Sequence, residues 1–187
     1  VPTILTHAAV GAVAVRLFLP ERATPRLYAC AAALSMLPDA DTLPMLLGDR
    51  GAWFGFHRGP SHSLLFAAAA GLAATLLLFP AERARIRESG WRLWLFLAAV
   101  TASHGLLDTF TDGGSGIELL WPFADGRWFA PWTPIHVSPI GVRGIFSERG
   151  LLVLASEALF VWLPLLVVLA TTDHLRGRRG EGSPSKS

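Results

Sequence analysis

The feature that most limits the fold of this chain is the length of its unbroken apolar runs. Leu64 to Phe79 carries no charge and no strongly polar group except Thr75, and Leu151 to Ala170 carries a single carboxylate, Glu157. A helix needs roughly 20 apolar residues to cross the hydrocarbon core of a bilayer. A soluble domain of 187 residues has too little interior to hide two helices that are apolar on every side. The chain therefore reads as an all-α, polytopic transmembrane helical bundle. Its apolar content of 52% agrees, because the apolar residues come in blocks rather than in amphipathic stripes.

Five apolar segments can be drawn, at about 3–19, 27–47, 61–80, 92–110 and 150–172, giving about five spans. Pro38, Asp39 and Asp41 interrupt the second, so its outer part is expected to be bent or unwound. Residues 1–172 form a single membrane-embedded domain. Residues 173–187, rich in Arg, Gly and Ser, are expected to be a disordered cytoplasmic tail.

Basic residues orient the spans. Arg16, Arg22 and Arg26 share one loop, Arg83, Arg85, Arg87 and Arg92 another, and Arg176, Arg178, Arg179 and Lys186 the tail. Arg50, Arg58, Arg127, Arg143 and Arg149 occupy the two remaining loops. By the positive-inside rule the larger group is cytoplasmic, which puts the N-terminus outside and the C-terminus inside. Trp53, Trp121, Trp128 and Trp132 then fall in the outer loops, where indole rings favour the interface.

Several function classes drop out. The net charge is only +2 and the basic residues sit in short loops, so no nucleic acid partner is expected. Cys30 has no second cysteine to pair with and says nothing about compartment. No cleavable signal peptide is expected, because the first apolar stretch holds His7 and no small-residue cleavage site follows a basic start.

This threading has a chemical consequence. His7, Asp39, Asp41, His57, His62, His104 and Asp108 all fall at the outer ends of spans, although none of them enters the choice of orientation. Imidazoles and carboxylates are the ligand types that hold zinc, manganese or iron at hydrolytic sites. His104 and Asp108 are spaced i, i+4 and so share a helix face. His57 and His62 bracket Arg58-Gly59-Pro60-Ser61, a turn able to aim both rings at one point. Ser61 is expected to be the N-cap of the third helix. Arg58 is placed either to hold a phosphate or carboxylate bidentately or to snorkel at headgroup level.

Asp39 and Asp41 lie about 200° apart on an ideal helix, so unwinding is needed before both can serve one centre. One would bind metal while the other bridges a second ion or accepts a proton. Glu157, costly if unpaired in a span, reads as a ligand, a partner for Arg143 or a neutral acid. His136 reads as a further ligand or a surface residue, and His174 belongs with the tail. Asp112, Gly113 and Gly114 read as a turn, with Thr111 supporting the site through its hydroxyl.

The succession of His7, Leu37-Pro38-Asp39-Ala40-Asp41, His57-Arg58-Gly59-Pro60-Ser61-His62-Ser63 and His104-Gly105-Leu106-Leu107-Asp108-Thr109-Phe110-Thr111 resembles a bacterial inner-membrane family. That family is described as LexA-regulated, membrane-bound metal-dependent hydrolases. The resemblance runs from the N-terminus to about Phe123 and continues more weakly through the final span around Glu157. It implies a location in the inner membrane and a distant similarity to zinc-dependent phospholipase C and zinc-dependent single-strand nucleases. Those enzymes are helical and use clustered metals on phosphodiesters. By that likeness His7, one of Asp39 and Asp41, His62, His104 and Asp108 are metal ligands. The later His-x-x-x-Glu pair of those enzymes has no counterpart here, so one or two ions are expected.

Together these readings describe a membrane-bound hydrolase that cleaves a phosphoester, lipid-like substrate at the outer face with metal-activated water. The ligand pool is His7, Asp39, Asp41, His57, His62, His104, Asp108 and Glu157. Asp39 or Asp41 is the base and Arg58 the anion clamp. The metal is Zn2+ first, with Mn2+ or Fe2+ behind it. Partners are membrane lipids and a small-molecule or lipid substrate. The alternative is a membrane protein that binds metal as a transporter, sensor or structural element, without turnover.

Overall fold

The computed structural model describes residues 1–46, 57–139 and 142–181. Six helices of ten residues or more stand among the described residues. They are α1 (Ile4–Phe18), α2 (Pro25–Met36), α3 (Leu64–Leu78), α4 (Trp91–Asp108), α5 (Glu148–Glu157) and α6 (Leu163–Glu181). A turn of π-helix, Ala158–Trp162, joins α5 to α6 into one rod. No strand occurs among the described residues; two isolated pairings, Thr111 with Ile135 and Ile117 with Trp128, tie the loop after α4 to itself.

Local chemistry sets the helix starts. Thr24 accepts from the Leu27 N–H at 3.2 Å with Pro25 in the first helical position, so α2 begins with a satisfied donor and a preset φ. Ser63 accepts from Phe66 N at 3.1 Å and caps α3. The cap is therefore Ser63 and not Ser61: Pro60–His62 forms a short 3-10 turn that delays the helix and frees the Ser61 hydroxyl for the site.

α1 packs along α2, and α3 along α4, with α2 also against α4. Val15, Leu27, Ala31, Leu34, Leu93, Leu97 and Val100 make the shared core. Backbones come close where side chains vanish. A Cβ on Gly11 would strike the Ala31 carbonyl, and one on Gly71 would strike the Ala98 backbone.

The final rod runs parallel to α1. Glu157 bonds Thr3 at the start of α1, while the Arg176 guanidinium donates to Arg16 O and Leu17 O at its end, at 3.0 and 2.6 Å. At 1.5 Å per residue the rise from Glu157 to Arg176 is about 28 Å, close to the roughly 30 Å of hydrocarbon in a bilayer.

Of the about five spans expected, one is supported by helix length and composition. Among the described residues, only Glu148–Arg178 is long and apolar enough to cross a membrane. α1 and α3 are apolar but 15 residues each, about 22 Å. α2 stops at Met36, because Leu37–Thr42 tightens into a 3-10 turn around Pro38. α4 has 18 residues, but Arg92, His104 and Asp108 interrupt its apolar character. At the other terminus α6 continues helical to Glu181, so the segment expected to be disordered from residue 173 is ordered that far. Arg50, Trp53, Lys186 and the side chains of Arg143 and Arg179 lie outside the described residues.

Candidate metal centre

Four separate pieces of chain deliver imidazoles and carboxylates to one point. His7 sits on the first turns of α1, Asp39 on the 3-10 turn after α2, and His62 on the turn before α3. His104 and Asp108 lie one turn apart near the end of α4. The burial of His7, His62, His104 and Asp108 is essentially complete.

The inner set is Asp39, His62, His104 and Asp108. His62 Nε2 and His104 Nε2 stand 3.2 Å apart. Asp39 Oδ1 is 3.4 Å from His104 Nε2 and 3.7 Å from His62 Nε2. Asp108 Oδ2 is 3.5 Å from His62 Nε2 and 3.8 Å from His104 Nε2. A tetrahedral ion with bonds of 2.0–2.1 Å holds its ligand atoms about 3.3 Å apart. The observed separations bracket that edge length.

Neighbouring groups fix the ring tautomers. His104 Nδ1 lies 2.7 Å from Ser35 O, which only accepts, so Nδ1 carries the proton and Nε2 presents a lone pair. The Ser61 hydroxyl gives its one proton to Asp41 Oδ2 at 2.8 Å and therefore accepts from His62 Nδ1 at 3.0 Å. His62 Nε2 is thus a lone-pair donor as well. Two such nitrogens face two carboxylates, and Asp39 Oδ1 and both Asp108 oxygens have no hydrogen-bond partner. Buried acceptors left unmatched cost about 1–3 kcal/mol each, more when charged. A cation at their centre would satisfy Asp39 Oδ1 and Asp108 Oδ2.

His7 flanks this set. Its ring stacks on His104 at 3.8 Å, and its Nε2 is 3.3 Å from the other Asp108 oxygen, Oδ1. The Ser35 hydroxyl donates to His7 O at 2.7 Å, so one serine steadies both histidines.

A second group, Asp39, Asp41 and His57, adjoins the first and shares Asp39 with it. His57 Nδ1 is 2.8 Å from Asp41 Oδ1, and Asp41 Oδ2 also accepts from the Arg58 backbone N–H at 3.2 Å. The tight 3-10 turn is what lets Asp39 and Asp41 serve adjacent groups.

Arg58 is 1% exposed and adopts a φ of 62°. Its guanidinium donates to Gly113 O at 2.6 Å and to Thr111 Oγ1 at 3.2 Å, and Thr111 in turn donates to Asp108 O at 2.8 Å. Gly114, at φ 91°, lies against that guanidinium, where any Cβ would collide with it. Three carboxylates against one buried guanidinium leave two negative charges, the complement of one divalent ion. A cavity of about 500 Å³ opens beside the centre, bordered by Asp39, His57, Arg58 and Gly114, with Ile4, Met36 and Leu43 among its apolar walls.

Glu157, expected among the ligands, stands outside both groups. Oε2 accepts from the Thr3 and Thr6 hydroxyls at 2.6 and 2.5 Å, and Oε1 from the Thr3 N–H. His136 pairs at the surface with Asp112, Nδ1 to Oδ2 at 2.6 Å. Burial pushes the Asp112 carboxyl up, but the bonds from His136 and the Val137 N–H, with the charges of His136 and Arg149, hold it below its usual value. Sequence reasoning missed Ser35, Thr3 and Thr6. Their signal is faint: lone hydroxyls in otherwise apolar helix starts and ends.

A family model described as YdjM inner membrane protein matches residues 2–175. The inner membrane protein YbcI of Escherichia coli (strain K12) is 41% identical over 170 residues, covering 90% of this chain and 95% of that protein. No solved structure matches the chain significantly. His7, Asp39, Asp41, His57, His62, His104, Asp108 and Arg58 all lie within the matched stretch, and the chain belongs to the YdjM family of bacterial inner membrane proteins.

Proposed function

We propose that this chain is a membrane-bound metal-dependent hydrolase that cleaves a phosphoester, lipid-like substrate at the outer face of the inner membrane. The observation that carries this reading is the convergence of His62 Nε2, His104 Nε2, Asp39 Oδ1 and Asp108 Oδ2 on one buried point, with His–His and His–carboxylate separations of 3.2–3.8 Å. Zinc fits this donor set first, with manganese and iron behind it. The second group, sharing Asp39, allows for one or two ions.

When bound, the metal supplies Lewis-acid polarisation of the ester and a water acidic enough to ionise near neutral pH. The chain's own residues do the rest. Ser35 and Ser61 hold the two imidazoles in the tautomer that binds. His57, held through Nδ1 by Asp41 Oδ1, borders the cavity and would take up the proton of the attacking water. Arg58, fixed from two sides by Gly113 and Thr111, sets a positive charge against phosphoryl oxygens in the cavity. The apolar walls suit a substrate carrying hydrocarbon.

The parallel course of α1 and the final rod supports an odd number of passes, with an outer N-terminus and a cytoplasmic C-terminus. Arg16, Arg22, Arg83, Arg92 and Arg176 lie toward the end remote from the metal centre, as the positive-inside rule requires.

One observation favours a second reading. Four protein ligands that close a buried tetrahedron are the mark of a structural metal site, and a metal-binding membrane protein without turnover would show the same. The cavity reaching Asp39 weighs for catalysis.

The test has two stages. Metal content of detergent-purified wild type, His62→Ala and His104→Ala is read by plasma mass spectrometry, with one or two equivalents expected in wild type and loss in both variants. The loaded protein is then assayed against phosphodiester and phosphomonoester lipids. Absence of metal after reconstitution with zinc or manganese would sink both readings. Bound metal without turnover would leave the structural one.

A further inference from the structure

The loop between α4 and α5 is pinned to the metal-centre end of the bundle. Leu64 N donates to Leu119 O at 2.9 Å, Glu118 N to Arg58 O at 3.1 Å and Ala130 N to Thr109 O at 2.9 Å, while Ile117 pairs with Trp128. Fixed at three points, it buries Ile117 and Ile135 but leaves most of its large aromatic side chains outside. Leu120, Trp121, Phe123, Trp128, Phe129 and Trp132 point outward, with Phe123 82% and Trp132 63% exposed.

Water is a poor environment for this surface. Apolar area left in water forgoes about 25 cal/mol per Å², and contiguous exposed apolar patches mark interaction sites. Few charges interrupt the surface: Arg127 pairs with Glu118 at 2.7 Å and Asp112 with His136, which leaves Asp125 as the exposed carboxylate within the stretch. Three of the six residues are tryptophans, whose apolar body and polar N–H favour the headgroup level of a bilayer. The height also fits. The loop caps the Glu157 end of a rod whose Arg176 end lies about 28 Å away, one hydrocarbon thickness.

We propose that residues 119–132 form a lipid-interface platform, seated on the phospholipid surface at the metal-centre end with the aromatic rings in the boundary between headgroups and acyl chains. The platform holds the mouth of the centre at the depth of lipid headgroups. It rests on the chain's place in a family of inner membrane proteins and on the exposed rings, and it stands or falls separately from the hydrolase reading.

The test uses the full-length protein, whose Cys30 is buried and is the single cysteine of the chain. Phe123→Cys and Trp132→Cys, each labelled with a small environment-sensitive fluorophore, are reconstituted in phosphatidylethanolamine–phosphatidylglycerol vesicles. Both positions are exposed, so both variants should fold as wild type does. Nitroxides placed at headgroup or upper-acyl depth should quench both labels severalfold more than aqueous iodide does. Free access to iodide with no lipid quenching would put the loop in water and overturn the proposal. Protection from both quenchers that rises with protein density would assign the surface to a second copy or another protein, and would overturn it equally.

Discussion

The Nε2 atoms of His62 and His104 stand 3.2 Å apart, and while both rings are neutral with Nδ1 protonated neither has a hydrogen to offer the other. His104 has its proton on Nδ1, committed to Ser35 O, and His62 has its own on Nδ1, committed to Ser61. Two lone pairs held that close repel unless something positive lies between or beside them. Asp39 and Asp108 add negative charge to the same point. Without a cation the arrangement is unstable unless a proton is taken up, and with one it is a set of ligands.

That conflict predicts how metal and stability are linked. Anything that binds the folded state and not the unfolded one stabilises it by mass action. Chelation should lower the Tm of wild type in detergent by several degrees. Asp108→Asn should lose the metal, become indifferent to chelator, and unfold above metal-free wild type because one buried negative charge is gone. Calorimetry with and without a chelator reads all three. A wild-type Tm that ignores the chelator would count against the site.

Gly114 should be irreplaceable while Gly177 is not. At φ 91° an alanine is strained, and its Cβ would meet the Arg58 guanidinium. Gly114→Ala should cost about 1–3 kcal/mol and disturb the Thr111–Arg58 contact. Gly177 sits in α6, where a methyl group would have nothing within 4 Å of it, so Gly177→Ala should gain up to about 1 kcal/mol from helix propensity. Thermal unfolding of the pair under one condition checks both signs.

Much of this centre is visible in the sequence because its residues break apolar segments. A histidine or aspartate at the end of such a run is conspicuous, and the basic loops orient the runs independently. Helix length is less visible. Periodicity does not distinguish an α-helix from the 3-10 turn Leu37–Thr42, so the second segment reads as longer than α2 is. In Ser61-His62-Ser63 two serines compete for one capping role, and only the turn made by Pro60 assigns it to Ser63. Ser35 contributes a backbone carbonyl to His104, an interaction that no residue type announces.

The loop that carries the aromatic platform should loosen in acid. Asp112 is held below its usual value of 3.8 and bonds His136 and the Val137 N–H. A carboxyl depressed in the folded state adds stability above its unfolded pKa and loses it as pH falls through the folded value. Any Tm gap between wild type and Asp112→Asn should therefore close as pH drops from about 5 to about 3. The pair is partly exposed, so the gap is small at every pH. A gap that widened on acidification would contradict the assignment.

Glu157 separates a ligand from a clamp. Its oxygens accept from the Thr3 N–H and from the Thr3 and Thr6 hydroxyls, and Trp162 Nε1 donates to Thr6 Oγ1 at 2.7 Å. The network ties the start of α1, and with it His7, to the final rod. In Glu157→Gln the amide NH2 meets a site built for two acceptor oxygens, and charge-assisted bonds worth about 1.5–3 kcal/mol are weakened. The variant should melt lower yet keep the wild-type metal content, because no ligand atom has been removed. Loss of metal at unchanged Tm would instead move Glu157 into the coordination set and reduce the Thr3–Thr6 network to an accessory of the metal centre.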